Sequence, residues 1–206
     1  RLGYAVVEIA PRPQTGPSSL NQGLLGDLTF AVNDLGIAVR WLRAHADELS
    51  LNPDRIAAVG HSFSAIAALS LAYPDGELDP GDTITLPVRG FTEFPDVSPP
   101  PPPAELEAYS ARIDAVVSFA GFAVADTIDP GEPPSLLIHG RNDQAAPFAL
   151  AEQTCTAATA VGVRCELLPH DDGHDRPADD SATVAAIDGF LREEFEAATP
   201  AGQGEE

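Results

Sequence analysis

The stretch Arg55–Tyr73, RIAAVGHSFSAIAALSLAY, decides the fold. Apolar residues from Ile56 to Val59 stop at Gly60, a run of the length a buried strand has. From Ala65 to Ala72 the residues favour helix, and Pro74 closes that run. Between the two lies the corner Gly60-His61-Ser62-Phe63-Ser64. A serine hydroxyl is a poor nucleophile unless it is exposed and hydrogen-bonded to a base. A sharp strand-to-helix turn exposes it, but only where the residues two before and two after are small enough for their backbones to crowd together. Gly60 and Ser64 meet that condition, with Ala65 following. A helix beginning at Phe63 turns its positive end toward Ser62.

Outward from this corner the chain alternates strand and helix. Tyr4–Ile9 (YAVVEI) reads as a buried strand, followed by a loop, APRPQTGPSS. From Asp27 to Glu48 a helical stripe runs through Leu28, Val32, Leu35, Val39 and Leu42 to Leu49, with Trp41 at its edge, and SLNPDR breaks it. Later strands are IDAVVSFAGF, PPSLLIHG and RCELLPH; later helices are PFALAEQTCTAATAVGV and DDSATVAAIDGFLREEFEAA. Strands separated by helices predict an α/β fold, a mostly parallel sheet with helices on both faces. Residues 1–198 read as one such domain, and 199–206 (TPAGQGEE) as an acidic tail. Residues 75–111 are a proline-rich insert with five consecutive prolines, Pro99–Pro103, which cannot join a sheet. It reads either as a loose surface excursion or as a lid whose Phe91 and Phe94 border a cleft.

At 206 residues with 44% hydrophobic content, the chain can bury a full core. No apolar run is long enough to span a membrane. Acidic residues number 32 against 11 basic ones, all arginine, for a net charge of −21. Such a field repels phosphate backbones and argues against a nucleic-acid partner. There is no methionine and no visible leader, so the sequence reads as starting inside a domain. Cys155 falls in a helix and Cys165 in the next strand, at similar levels by rises of about 1.5 and 3.3 Å per residue. A disulfide and two free thiols both remain open; the first implies an oxidising compartment and secretion, the second the cytoplasm.

The segment DRIAAVGHSFSA resembles the nucleophile elbow, G-x-S-x-G, of the α/β-hydrolase superfamily. The longer NDLGIAVRWLRAHADELSLNPDRIAAVGHS is similar to its esterase and lipase branch. The resemblance extends from Tyr4 to about Phe195 and implies a chain order of serine, acid, histidine. LLIHGRNDQAAP then supplies Asp143 as the acid, and LLPHDDGHD supplies His174 as the base. It implies a serine hydrolase cleaving carboxylic esters through Ser62, Asp143 and His174 and an acyl-enzyme, with the Phe63 N–H as one oxyanion donor. His61 would contact substrate or, alternatively, pack in the core. His170 competes as base but directly follows Pro169 at a strand end, and His139 would orient its own strand end. The cluster His170, Asp171, Asp172, His174 and Asp175 lacks the companion ligands of a metal site. No cofactor or metal is implied. The partner would be a small-molecule or lipid ester. Lipase, phospholipase or peptidase chemistry, or a non-catalytic binding protein on the same fold, are the alternatives.

The chain departs from the family pattern in two ways. Its last elbow glycine is Ser64, and the segment that carries the second oxyanion donor has no counterpart ahead of Tyr4. YAVVEIAPR resembles the strand one step later, so the fold is expected to lack its first strands, one of which belongs between Tyr4–Ile9 and the elbow strand. Either Tyr4–Ile9 shifts to pair with Ile56–Val59, or upstream residues fill the gap.

Overall fold

A computed structural model of the chain describes residues 3–10, 20–74, 81–82, 99–123, 128–175 and 180–197. Four strands, β1 (Ala57–His61), β2 (Ala115–Phe119), β3 (Ser135–Gly140) and β4 (Cys165–His170), form a parallel sheet in the order β1-β2-β3-β4. Helix α3 (Phe63–Ala72) leads from β1 toward β2, and α4 (Phe148–Ala160) joins β3 to β4. Parallel neighbours need such crossovers, which is why strand and helix alternate in the sequence.

The strand period of two divides the apolar residues between two faces. Val116 and Leu137 pack with Leu69 and Leu71 of α3, Val32 and Val39 of α1 (Leu20–Ala44), and Ala151 and Ala158 of α4. Their neighbours Ala115, Val117, Phe119, Leu136 and Ile138 meet Phe190 and Leu191 of α5 (Ser181–Ala197) on the opposite face. Strands β2 and β3 are buried along their whole lengths, which accounts for their unbroken apolar runs. The expected α/β architecture holds.

Four expectations need correction or completion. The first helix starts at Leu20 instead of Asp27 and stops at Ala44; the short α2 (Ala46–Leu49) follows. Left-handed Ser50 closes α2, its N–H donating to Ala46 and Asp47, and Leu49 is left exposed.

Tyr4–Ile9 is neither a strand nor buried. Val6 is 89% exposed, and Tyr4 and Val7 are exposed as well. The physical reason is separation: β1 is the terminal strand among the described residues, and a groove of about 680 Å³ lined by Tyr4–Ile9, Val59 and His61 lies between the segment and β1. Across that groove the segment is out of ladder reach of the β1 edge, and Val59 stands exposed facing it.

The insert is not loose at its end. Pro99 and Pro102 are buried while Pro100, Pro101 and Pro103 are exposed, the three-residue period of polyproline II laid along a surface. Asn33 of α1 donates to the Pro100 carbonyl at 3.2 Å, and a 3-10 turn, Ala104–Leu106, buries Leu106. Phe91 and Phe94, and with them the lid, lie outside the described residues, as does the acidic tail 199–206.

Finally, Cys155 and Cys165 form a disulfide linking α4 to β4, with Cα atoms 5.0 Å apart.

Candidate active site

All four strands point their C-terminal ends the same way, so the loops after β1, β3 and β4 emerge along one rim. Such rims are where parallel sheets hold ligands. Ser62 follows β1, Asp143 follows β3, and His174 follows β4. The register reinforces this: Gly60 lies opposite Ser118, and Gly140 opposite His170.

The corner at Ser62 is built by close backbone approach. A Cβ on Gly60 would sit 2.4 Å from the Ser64 carbonyl and 2.5 Å from the Ala65 nitrogen, so only glycine fits. Ser62 itself takes φ 55° and ψ −118°, a conformation side chains rarely adopt. Its N–H donates to the Phe119 carbonyl at 2.8 Å, tying the corner to β2. The positive φ therefore falls on the serine, and Ser64, inside α3, needs only to be small. Phe63 is the first residue of α3, and its N–H belongs to the set that has no acceptor within the helix.

The acid turn is equally determined. Asp143 Oδ1 accepts the N–H groups of Ala145 and Ala146, both at 2.8 Å. Its Oδ2 accepts His174 Nδ1–H at 2.8 Å. The Asp143 side chain is fully buried, yet its carboxyl is held below the ordinary range. Burial pushes it up most, but the Ala146 N–H, His174 and the Ala145 N–H together outweigh that. A carboxylate only accepts, so Nδ1 carries the imidazole hydrogen and Nε2 is left as an acceptor. Ser62 Oγ is 2.8 Å from that Nε2. Ser62, His174 and Asp143, separated by up to 112 residues, thus form one hydrogen-bonded chain. An imidazole so oriented can take the hydroxyl proton as the oxygen attacks.

His61 is not in the core. Its ring is half-exposed, its Nε2 lies 3.3 Å from the His174 carbonyl and 3.4 Å from Asp175 Oδ1, and the two histidine rings are 5.1 Å apart. His170, the competing base, is buried at the end of β4 with Nδ1 3.4 Å from Asp172. Among the described residues, no group of three or more His, Cys, Asp or Glu side chains is placed to hold a metal, and no helix is long and apolar enough to cross a membrane.

Two further glycines shape the rim and were missed in the sequence. A Cβ on Gly140 would stand 2.0 Å from the Gly173 carbonyl, so the acid turn and the histidine loop touch backbone to backbone. A Cβ on Gly121 would stand 2.5 Å from Ala65 Cβ. The available signal was a glycine closing β3 and another just past β2, in IHG and AGF.

No family model matches the sequence, and no curated protein matches it. Solved structures do. A truncated carbohydrate esterase from gut microbiota is 15% identical with a TM-score of 0.65, covering 80% of this chain and 68% of that one. Esterase 2 of Thermogutta terrifontis phosphorylated by paraoxon is 24% identical with a TM-score of 0.62, covering 81% and 64%. The same esterase with butyrate bound is 20% identical with a TM-score of 0.62, covering 86% and 69%. The chain therefore spans about two thirds of the length of these neighbours. Its parallel sheet, flanking helices and rim loops have the α/β-hydrolase fold.

Proposed function

We propose that this chain carries the catalytic residues of a serine hydrolase that cleaves carboxylic esters with short acyl groups. The observation that carries the reading is the pair of 2.8 Å contacts from Ser62 Oγ to His174 Nε2 and from His174 Nδ1 to Asp143. Ser62 Oγ attacks the ester carbonyl carbon while its proton passes to His174 Nε2. Asp143 holds the resulting imidazolium. The Phe63 N–H donates to the oxyanion, a contact of the kind worth roughly 3–4 kcal/mol per donor. Collapse expels the alcohol, which takes the proton from His174, and leaves an acyl ester on Ser62. Water, deprotonated by His174, then attacks that ester; the acid is released and the proton returns to Ser62. The place of His61, beside His174 and lining the groove along β1, supports its reading as a substrate contact. The short acyl preference is supported by the butyrate held in the similar Thermogutta esterase. The disulfide supports an oxidising, extracytoplasmic compartment.

The test is hydrolysis of short and long p-nitrophenyl esters, together with fluorophosphonate labelling. Ser62→Ala should abolish both turnover and label, and short esters should turn over faster. Unlabelled, inactive but folded wild-type protein would favour a non-catalytic binding role. Turnover that survives Ser62→Ala would move the nucleophile elsewhere.

A further inference from the structure

His139 stands behind the acid. It is the fifth residue of β3, fully buried, at a position where an aliphatic side chain would pack without any polar cost. Its Nε2 lies 2.8 Å from the Ala146 carbonyl, which can only accept, so Nε2 carries the hydrogen. The same Nε2 lies 3.4 Å from Asp143 Oδ2, the oxygen that accepts from His174. The other ring nitrogen, Nδ1, is buried without a hydrogen-bond partner among the described residues. An imidazole that leaves one buried nitrogen unsatisfied costs stability relative to an apolar residue, and such costs mark places held for another reason.

The reason is geometric. Ala146 is clamped from two sides: its carbonyl takes the His139 N–H, and its own N–H donates to Asp143 Oδ1 at 2.8 Å. Fixing Ala146 fixes the turn that aims the carboxylate. The His139 Nε2 also lies 3.4 Å from Oδ2, so that oxygen has two imidazoles near it, at 2.8 Å from His174 and 3.4 Å from His139. The Phe148 ring packs edge-on against the His139 ring at 5.9 Å, and the Arg141 guanidinium lies 5.3 Å from the Phe148 ring centre.

We infer that His139 is a positioning residue for the proposed reaction: its Nε2–H fixes the Ala145–Ala146 turn and Asp143 Oδ2, and through them the His174 ring. The catalytic part rests on the proposed hydrolase; the positioning of Asp143 and His174 does not, and it is read separately by NMR.

In wild-type protein, long-range proton–nitrogen spectra should show His139 as the Nε2–H tautomer and a low-field His174 Nδ1–H resonance. His139→Leu should lose that resonance while keeping its melting transition. Its kcat should fall by about a hundredfold, the scale expected of a reacting group displaced by about an ångström, with KM changed less than about twofold. His139→Gln, whose amide N–H can reach the Ala146 carbonyl, should restore resonance and kcat. Three results overturn the inference: an Nδ1–H tautomer, a folded His139→Leu that keeps resonance and rate, or a His139→Gln that fails to restore them or to fold. If His139→Leu does not fold, the wild-type tautomer and His139→Gln still decide. A protein that shows the NMR behaviour but hydrolyses no ester refutes the hydrolase and leaves the positioning intact.

Discussion

Ser62 concentrates the cost of the site in one residue. Its φ of 55° with a Cβ present costs on the order of 1–3 kcal/mol, and the surrounding contacts hold it there. The Gly60–Ser64 crowding and the bond from the Ser62 N–H to Phe119 leave the chain no other path. Glycine adopts such a conformation freely, so Ser62→Gly is expected to remove the proposed nucleophile and yet raise stability by about 1 kcal/mol, read as a higher melting temperature beside lost fluorophosphonate labelling. An equal or lower melting temperature would mean that the corner is not strained. The elbow glycine and serine were legible from their small size alone. Which residue takes the positive φ was not, because that depends on how α3 docks against β2.

Among the elements, the loop leading into β3 holds an unusual acid. At the end of the sheet opposite to Ser62, a cavity of about 410 Å³ is lined by Leu71, Arg112, Asp129 and Glu132. Burial pushes the Glu132 carboxyl up to about 7; the Asp129 N–H it accepts pulls it down, the Asp129 carboxylate pushes it up again, and Arg112 opposes that more weakly. A folded pKa above the unfolded one means that the fold favours the protonated acid. That contribution is complete below the ordinary value of 4.5 and is lost as pH rises through about 7. Glu132→Gln has no such loss, so its melting temperature should gain on the wild type as pH rises from about 4.5 to about 7. A difference that stays flat with pH would place Glu132 in water. The strands β2 and β3 were well marked by unbroken apolar runs, since both are buried on both faces. The buried polyproline face was not, because its three-residue period matches neither helix nor strand.

At the scale of the molecule, charge dominates. A net charge of −21 repels itself, and the few arginines are spent gathering carboxylates and carbonyls. Arg164 pairs with Glu166, Glu193 and Glu194, and Arg43 reaches the carbonyls of Pro53, Ser110 and Arg112 as well as Asp114. Exposed pairs contribute only about 0–1 kcal/mol each, so their loss to screening is smaller than the relief of the general repulsion. Raising salt from about 0.01 M to about 1 M shortens the Debye length from about 30 Å to about 3 Å, and the melting temperature should rise across that range. A fall would show that the arginine pairs outweigh the repulsion.

By itself the sequence determined what depends on neighbours along the chain: the alternation of strand and helix, the small residues of the corner, and the order Ser62, Asp143, His174, after β1, β3 and β4. Two things needed the tertiary structure. Tyr4–Ile9 has the composition of a strand, but a strand exists only where another edge pairs with it, and β1 lies across a groove from it. The meeting of Ser62, Asp143 and His174, the Cys155–Cys165 bond and the placement of His139 behind the acid all depend on the register of parallel strands. Register is set by packing on both faces of the sheet at once, and no local stretch of sequence carries that information.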